Sequence, residues 1–203
     1  MSIHLHQQDL PDELDLGETV AVDCEAMGLV PGRDRLCLVQ LSAGDGTAHL
    51  VQVHPGQTEA PNLVRLLTDP ATLKLFHYGR FDIALLLQTF GALTEPVYCT
   101  KIASKLVRTY TDRHGLKNLC QELLDIDLSK HQQSSDWGAE TLSEAQQAYA
   151  ASDVLYLHRL RMALDARLSR EGRSDLARAC FDFLPTRARL DIAGWPEIDV
   201  FSH

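Results

Sequence analysis

The chain has no excess of positive charge. Asp and Glu number 28 against 19 Lys and Arg, for a formal net charge of −9 over 203 residues. A protein that grips long nucleic acid presents a broad basic face, so any polyanion site here is expected to be local and small. No apolar run approaches the ~18 residues of a membrane span, and no membrane partner is expected. The N-terminus, MSIHLHQQDLPDELD, shows no basic stretch ahead of an apolar core, so a secretory signal is not expected. No CxxC pair occurs: Cys24, Cys37, Cys99, Cys120 and Cys180 are scattered and odd in number. That pattern speaks against a zinc ribbon or a disulfide framework and for reduced thiols in a cytoplasm. No repeat, low-complexity tract or linker interrupts the sequence, whose length suits one moderate domain with a proper core.

What is present begins with strand signals. TVAVD, LCLVQLS and AHLVQV are short and rich in Val and Leu, and turns such as PGRD and AGDGT separate them. Their close spacing predicts an antiparallel meander. NLVRLLTD reads as a helix and LKLFHYG as a strand. RFDIALLLQTFG reads as a helix ending at Gly91, PVYCT as a strand and GLKNLCQELLD as a helix. From Thr141 onward the pattern is helical, with Thr141 and Glu144 as a T-x-x-E capping box. Strands first, strands mixed with helices next and helices last predict an α/β protein, a sheet covered by helices.

Three acidic positions then align. Asp23 and Glu25, at i and i+2 on a strand, leave the same face. Asp82, in HYGRFD, falls in the first turn of a helix. Tyr149 and Asp153, in YAASD, share a helix face at i and i+4. Asp23 and Glu25 are either solvated loop residues just past a strand or holders of a cation. Small and apolar neighbours favour the second reading, because an unpaired buried carboxylate costs several kcal/mol. With only oxygen donors on offer the cation is hard, Mg²⁺ or Mn²⁺. Lys101, Lys105, Arg108, Arg113 and Lys117 fall together with Asp112 alone opposing them; taken singly, each reads as the solvated face of a helix.

The order D-x-E, a distant Asp after a His-containing strand end, then Y-x-x-x-D resembles the DEDDy branch of the 3′→5′ exonucleases. KHQQSSDWGAETLSEAQQAYAASDVLYLHRL resembles ribonuclease D, and the motifs run from Asp23 to Leu160. That resemblance implies an RNase H-like (DEDD exonuclease) mixed sheet flanked by helices and two divalent ions per site. It implies metal ligation by Asp23, Glu25, Asp82 and Asp153, with Tyr149 beside the attacking water. HYGRFD, TDRHGLK, QSSDW and GWPEIDVF are similar to the short, single-domain nano-RNase C family. That family implies very short RNA, dinucleotides in particular, as substrate and an octameric ring as the assembly. Residues 1–203 are accordingly expected to be one 3′-5′ exonuclease domain without the C-terminal helical (HRDC-type) domain of ribonuclease D. DCEAMGL matches the D-x-E-x-x-G-L of oligoribonuclease, in which the leucine wedges between two bases; that would be Leu29, by spacing alone equally a turn-flanking leucine.

A dinucleotide offers one scissile phosphate and a 5′ phosphate, which suits an acidic chain. Arg113, His114, Lys130, Gln133, Ser134 and Ser135 are candidates for a compact phosphate pocket. Trp137 either stacks on a base or fixes the entrance of the following helix. His77 is read as a hydrogen-bonded strand-end histidine outside the metal set. Phe181, Phe183, Leu184, Trp195, Ile198 and Phe201, placed after the last helix, need cover, and the expectation for residues 181–203 is a subunit interface in a homo-oligomer. A general 3′→5′ exonuclease on longer RNA or DNA, and a non-catalytic nucleic-acid-binding module, stand as the other readings. Retention of all four acids and the tyrosine speaks against the last.

Overall fold

The Val- and Leu-rich runs form the strands that their alternation predicts. In the computed structural model, which describes residues 2–30, 32–129, 132 and 134–203, six strands make one mixed sheet. They are β1 (Ser2–Gln7), β2 (Thr19–Ala26), β3 (Leu36–Ser42), β4 (Thr47–Gln52), β5 (Leu73–Phe76) and β6 (Val97–Cys99), in the order β1-β4-β3-β2-β5-β6. β2, β3 and β4 form the expected antiparallel meander. β5 and β6 extend the sheet in parallel beyond β2, and β1 lies parallel to β4 at the other edge. β1 escaped the sequence reading, because its apolar alternation is only Ile3 and Leu5 set among histidines and Gln7.

Helices cover both faces. α1 (Pro61–Thr68) opens with proline at its first turn, where the missing N–H is unneeded. α2 (Arg80–Phe90) ends at Gly91, whose φ of +68° and N–H bond to the Leu87 carbonyl make it the predicted helix stop. α3 (Thr100–Val107) and α4 (Leu116–Leu124) follow. α5 (Glu144–Val154) starts two residues later than its sequence suggested. Its capping box is Ser143 with Gln146, not Thr141 with Glu144. The reason is tertiary: the Gln146 side chain also donates to the Asp136 carbonyl at 3.0 Å, which fixes the helix start there. The helical run then breaks after Val154 and resumes as α6 (Leu157–Arg170) and α7 (Ser174–Ile192). α7 continues well beyond Phe181, where the sequence suggested that helix had ended. Phe181, Leu184 and Ala188 on it are buried in this chain's own core, with the Phe181 ring 4.4 Å from that of Tyr98. Trp195, Ile198, Val200 and Phe201 beyond it are exposed.

A large core lies between the sheet and α1, α2, α3, α6 and α7, and a smaller one under α5 joins Cys37, Leu38, Leu50, Trp137, Leu142 and Ala150. All five cysteines are unbonded, and among the described residues no helix is long and apolar enough to cross a membrane. Two cations sit inside. Lys74 donates its three N–H groups to the carbonyls of Asp69, Thr72 and Glu95 at 2.8, 2.7 and 2.6 Å. The Arg108 guanidinium forks onto Glu122 and also reaches Ser104 Oγ and the Arg113 carbonyl.

Candidate active site

Four acids from three elements meet at one end of the sheet. Asp23 and Glu25 project from β2, with a bulge between Glu25 and Ala26 ending the regular pairing with β3. Asp82 sits in the first turn of α2, where the helix dipole favours an anion. Asp153 lies in the last turn of α5, which packs against β2, β3 and β4. Carboxylate oxygens of Asp23, Glu25 and Asp153 all lie within 4.8 Å of one another. Asp82 is 3% exposed and couples electrostatically to Asp23 and Glu25. The turn that delivers Asp82 is tight: a Cβ on Gly79 would stand 2.6 Å from that of Phe76, and Tyr78 beside it has a φ of +70°.

Crowding and burial set the electrostatics. Burial, then Asp82, Asp153 and Glu25, raise the Asp23 carboxyl well above the carboxylate range. Burial, then Asp153 and Asp82, push Glu25 up to about 9. Asp82 rises to about 8 through burial, even though it accepts from its own backbone N–H and that of Cys24. Asp153 rises to about 7, again through burial, while the Tyr149 hydroxyl donates to it. Burial and the neighbouring acids drive the Tyr149 phenol upward, so it stays protonated. Among the described residues no Lys or Arg pairs with any of the four acids. Four inward carboxylates, all oxygen donors and uncompensated, fit divalent hard cations.

The acids floor a cleft of about 670 Å³. Leu29 stands at its rim, 82% exposed, on a loop that Asp34 braces by accepting from the Val30 N–H at 3.0 Å. Ser134 and Ser135 line the cleft as the sequence suggested. Ser135 belongs to a tight turn in which its N–H bonds the Gln132 carbonyl and its hydroxyl the Gln132 amide oxygen. Lys130 and Gln133 lie outside the described residues. Arg113 and His114 are not among the residues lining the cleft. The Arg113 carbonyl is held by Arg108, and His114 Nδ1 bonds Ser104 Oγ at 2.9 Å. Lys101 and Lys117 take that place in the lining, together with Tyr78 and Phe81. Their signal was in the basic run from 101 to 117, but spacing could not say which of its members face inward.

Trp137 is buried and tilts against Tyr149 with ring centroids 6.0 Å apart. It packs with Leu142 and Ala150 beneath α5 and also lines the cleft. His77 lines the cleft as a neutral ring. Burial, with Lys101 and His114 nearby, holds it at about 3. Thr100 Oγ1 donates to the Phe76 carbonyl, so His77 Nδ1 donates to Thr100 and Nε2 is the ring's acceptor.

The chain is similar to known proteins along most of its length. A family model described as 3′-5′ exonuclease matches residues 6–169. Ribonuclease D of Gluconacetobacter diazotrophicus is 39% identical over 156 residues, covering 77% of this chain and 39% of that protein. The chain spans about two fifths of the length of the curated relatives it matches. The structure of Brucella melitensis NrnC with bound Mg²⁺ is 58% identical with a TM-score of 0.97, covering 100% of both chains. The same Brucella protein bound to pGG is 59% identical with a TM-score of 0.97, covering 100% of this chain and 99% of that one.

Proposed function

Because the chain belongs to the 3′-5′ exonuclease family that includes ribonuclease D and NrnC, we propose that it hydrolyses very short RNA, dinucleotides above all, to nucleoside 5′-monophosphates. The uncompensated carboxylate quartet at the floor of the cleft carries this reading. A neighbour bound to pGG supports a short substrate, and a neighbour with bound Mg²⁺ supports the metal.

Asp23, Glu25, Asp82 and Asp153 are the metal ligands in this reading, for Mg²⁺ or Mn²⁺. When bound there, such ions would activate a water and neutralise charge on the leaving 3′ oxygen. Tyr149, protonated and anchored on Asp153, orients the attacking water by hydrogen bonding. Leu29, apolar and at the rim, inserts between the two bases. Ser134 and Ser135, with Lys101 and Lys117 in place of Arg113 and His114, receive the 5′ phosphate. Lys101 lies 3.9 Å from the centre of the Tyr78 ring, which holds its charge at the mouth of the cleft. A 5′ phosphate held there, apart from the acids, would limit the length of substrate that fits.

The exposed Trp195, Ile198, Val200 and Phe201 are the surface through which copies of the chain assemble into a homo-oligomer, the octameric ring of the nano-RNase C type. Its setting is the cytoplasm, where free thiols persist. The test of the activity is a time course with 5′-phosphorylated RNAs two to seven nucleotides long, with Mg²⁺ and with chelator. Fast metal-dependent cleavage of the dinucleotide with slow trimming of longer chains supports the proposal. Equal rates at every length demote it to a general exonuclease, and binding without cleavage to a binding module.

A further inference from the structure

The edge of the sheet farthest from β6 holds a cluster of imidazoles that the cleft does not use. The parallel pairing of β1 with β4 sets His4 opposite His49, and His6, two residues along β1, leaves the same face. The His49 ring lies near-parallel to both, with centroids 5.1 Å from His4 and 5.3 Å from His6. His6 Nε2 and His49 Nδ1 face each other 3.0 Å apart. The register also separates the cluster from the acids. Asp23 pairs with Gln40, Gln40 with Leu50 and Leu50 with Leu5, a row that occupies one face of the sheet. His4 and His49 are one residue removed from that row and therefore lie on the other face.

We propose that His6, His49 and His4 bind one borderline transition cation (Zn²⁺, Co²⁺, Ni²⁺ or Cu²⁺) that links β1 to β4. Two imidazole nitrogens on one tetrahedral ion, each about 2.0–2.1 Å from it, stand about 3.3 Å apart. The observed pair lies head to head, so to seat an ion both rings turn off their common line as the nitrogens part from 3.0 Å, and the donor ring moves its proton to its other nitrogen. His4 is exposed and turns about its side-chain bonds to bring in a third nitrogen, with water completing the shell. Burial and the neighbouring imidazoles lower both His6 and His49 from the ordinary imidazole value, so both rings are neutral and ready to ligate at pH 7. Asp45, which acts on His49 from the β3–β4 turn, adds a favourable negative charge. Nitrogen donors select these ions over Mg²⁺, which the all-oxygen cleft prefers. β1 is an edge strand that pairs with β4 alone, so an ion with ligands on both strands would anchor it.

The probe is Co²⁺, titrated into the full chain in saturating Mg²⁺ and read by the visible bands of nitrogen-ligated cobalt. The expected result is saturable bands that weaken at least about tenfold in apparent affinity in His6→Gln and His49→Gln and persist in Glu25→Gln. Dinucleotide hydrolysis at the parental rate shows that His49→Gln is folded. Hydrogen exchange supplies a second reading: Zn²⁺ slows the β1 amides of the parent and not those of His49→Gln. Absence of bands, bands unchanged in both histidine variants, or bands lost in Glu25→Gln would each overturn the site.

Discussion

Two sets of buried charges behave in opposite ways. Lys74 and Arg108 are fully buried cations, and each is surrounded by its own oxygens: three carbonyls for the lysine, and Glu122, Ser104 and the Arg113 carbonyl for the arginine. Asp23, Glu25, Asp82 and Asp153 are gathered on one another, and no Lys or Arg among the described residues pairs with them. The same chain satisfies charge where charge holds loops together and leaves it unsatisfied on the floor of a cleft. Charge that a fold leaves unpaired in one place, while pairing it elsewhere, is reserved for a ligand from solution.

The contrast breaks most sharply at Asp153. Asp153→Asn should lower metal-dependent hydrolysis by roughly 10³-fold, yet raise the melting temperature in chelator by relieving repulsion. A variant less stable than the parent without metal would contradict the repulsion. Titration of the parent sharpens the same point. The folded-state values of Glu25, Asp82 and Asp153 are raised, so the folded chain holds more protons than the unfolded one between about pH 4.5 and 9. Stability in chelator should therefore be fullest below that window and fall as pH rises through it. Mg²⁺ should flatten the decline, as followed by thermal melts in paired buffers.

Tyr149→Phe removes a donor and no charge. Turnover should drop about 10²-fold with the midpoint of a Mg²⁺ titration little moved, and unchanged turnover would remove the tyrosine from the chemistry. Arg108→Met disturbs the paired set. It should cost about 2–3 kcal/mol in urea unfolding, because the Arg113 carbonyl and Ser104 lose a buried partner. Hydrolysis by the folded fraction should fall less than in either cleft variant, with Arg108→Lys restoring part of the stability.

Residue spacing, joined to the resemblance to the DEDDy exonucleases, made much of the site legible. An i, i+2 pair on a strand and an i, i+4 pair on a helix each define a face, so Asp23 with Glu25 and Tyr149 with Asp153 could be grouped from sequence. Asp82 followed from its place in the first turn after a strand. The basic side of the cleft was less legible, because a run of basic residues does not say which of them turns inward. Arg108 holds the Arg113 carbonyl, and Ser104 engages both Arg108 and His114, while Lys101 on α3 and Lys117 on α4 line the cleft. The start of α5 was displaced for the same kind of reason, since the Asp136 carbonyl that helps to set it is not a helix signal. β1 was hidden because a two-residue apolar alternation bounded by histidines carries little weight until β4 is there to pair with it. α7 outran its expected end because burial of Phe181, Leu184 and Ala188 outweighs the interruption at Pro185.

The placement of Asp153 on α5, far along the chain from Asp23 on β2, has a consequence for biosynthesis. A polypeptide leaves the ribosome N-terminus first, amid RNA of every kind. The strand bearing Asp23 and Glu25 emerges early, but the carboxylate cluster stays incomplete until α5 has been made and has docked on the finished meander. In this architecture a nascent chain on which α5 has not yet docked lacks the fourth acid of the cluster.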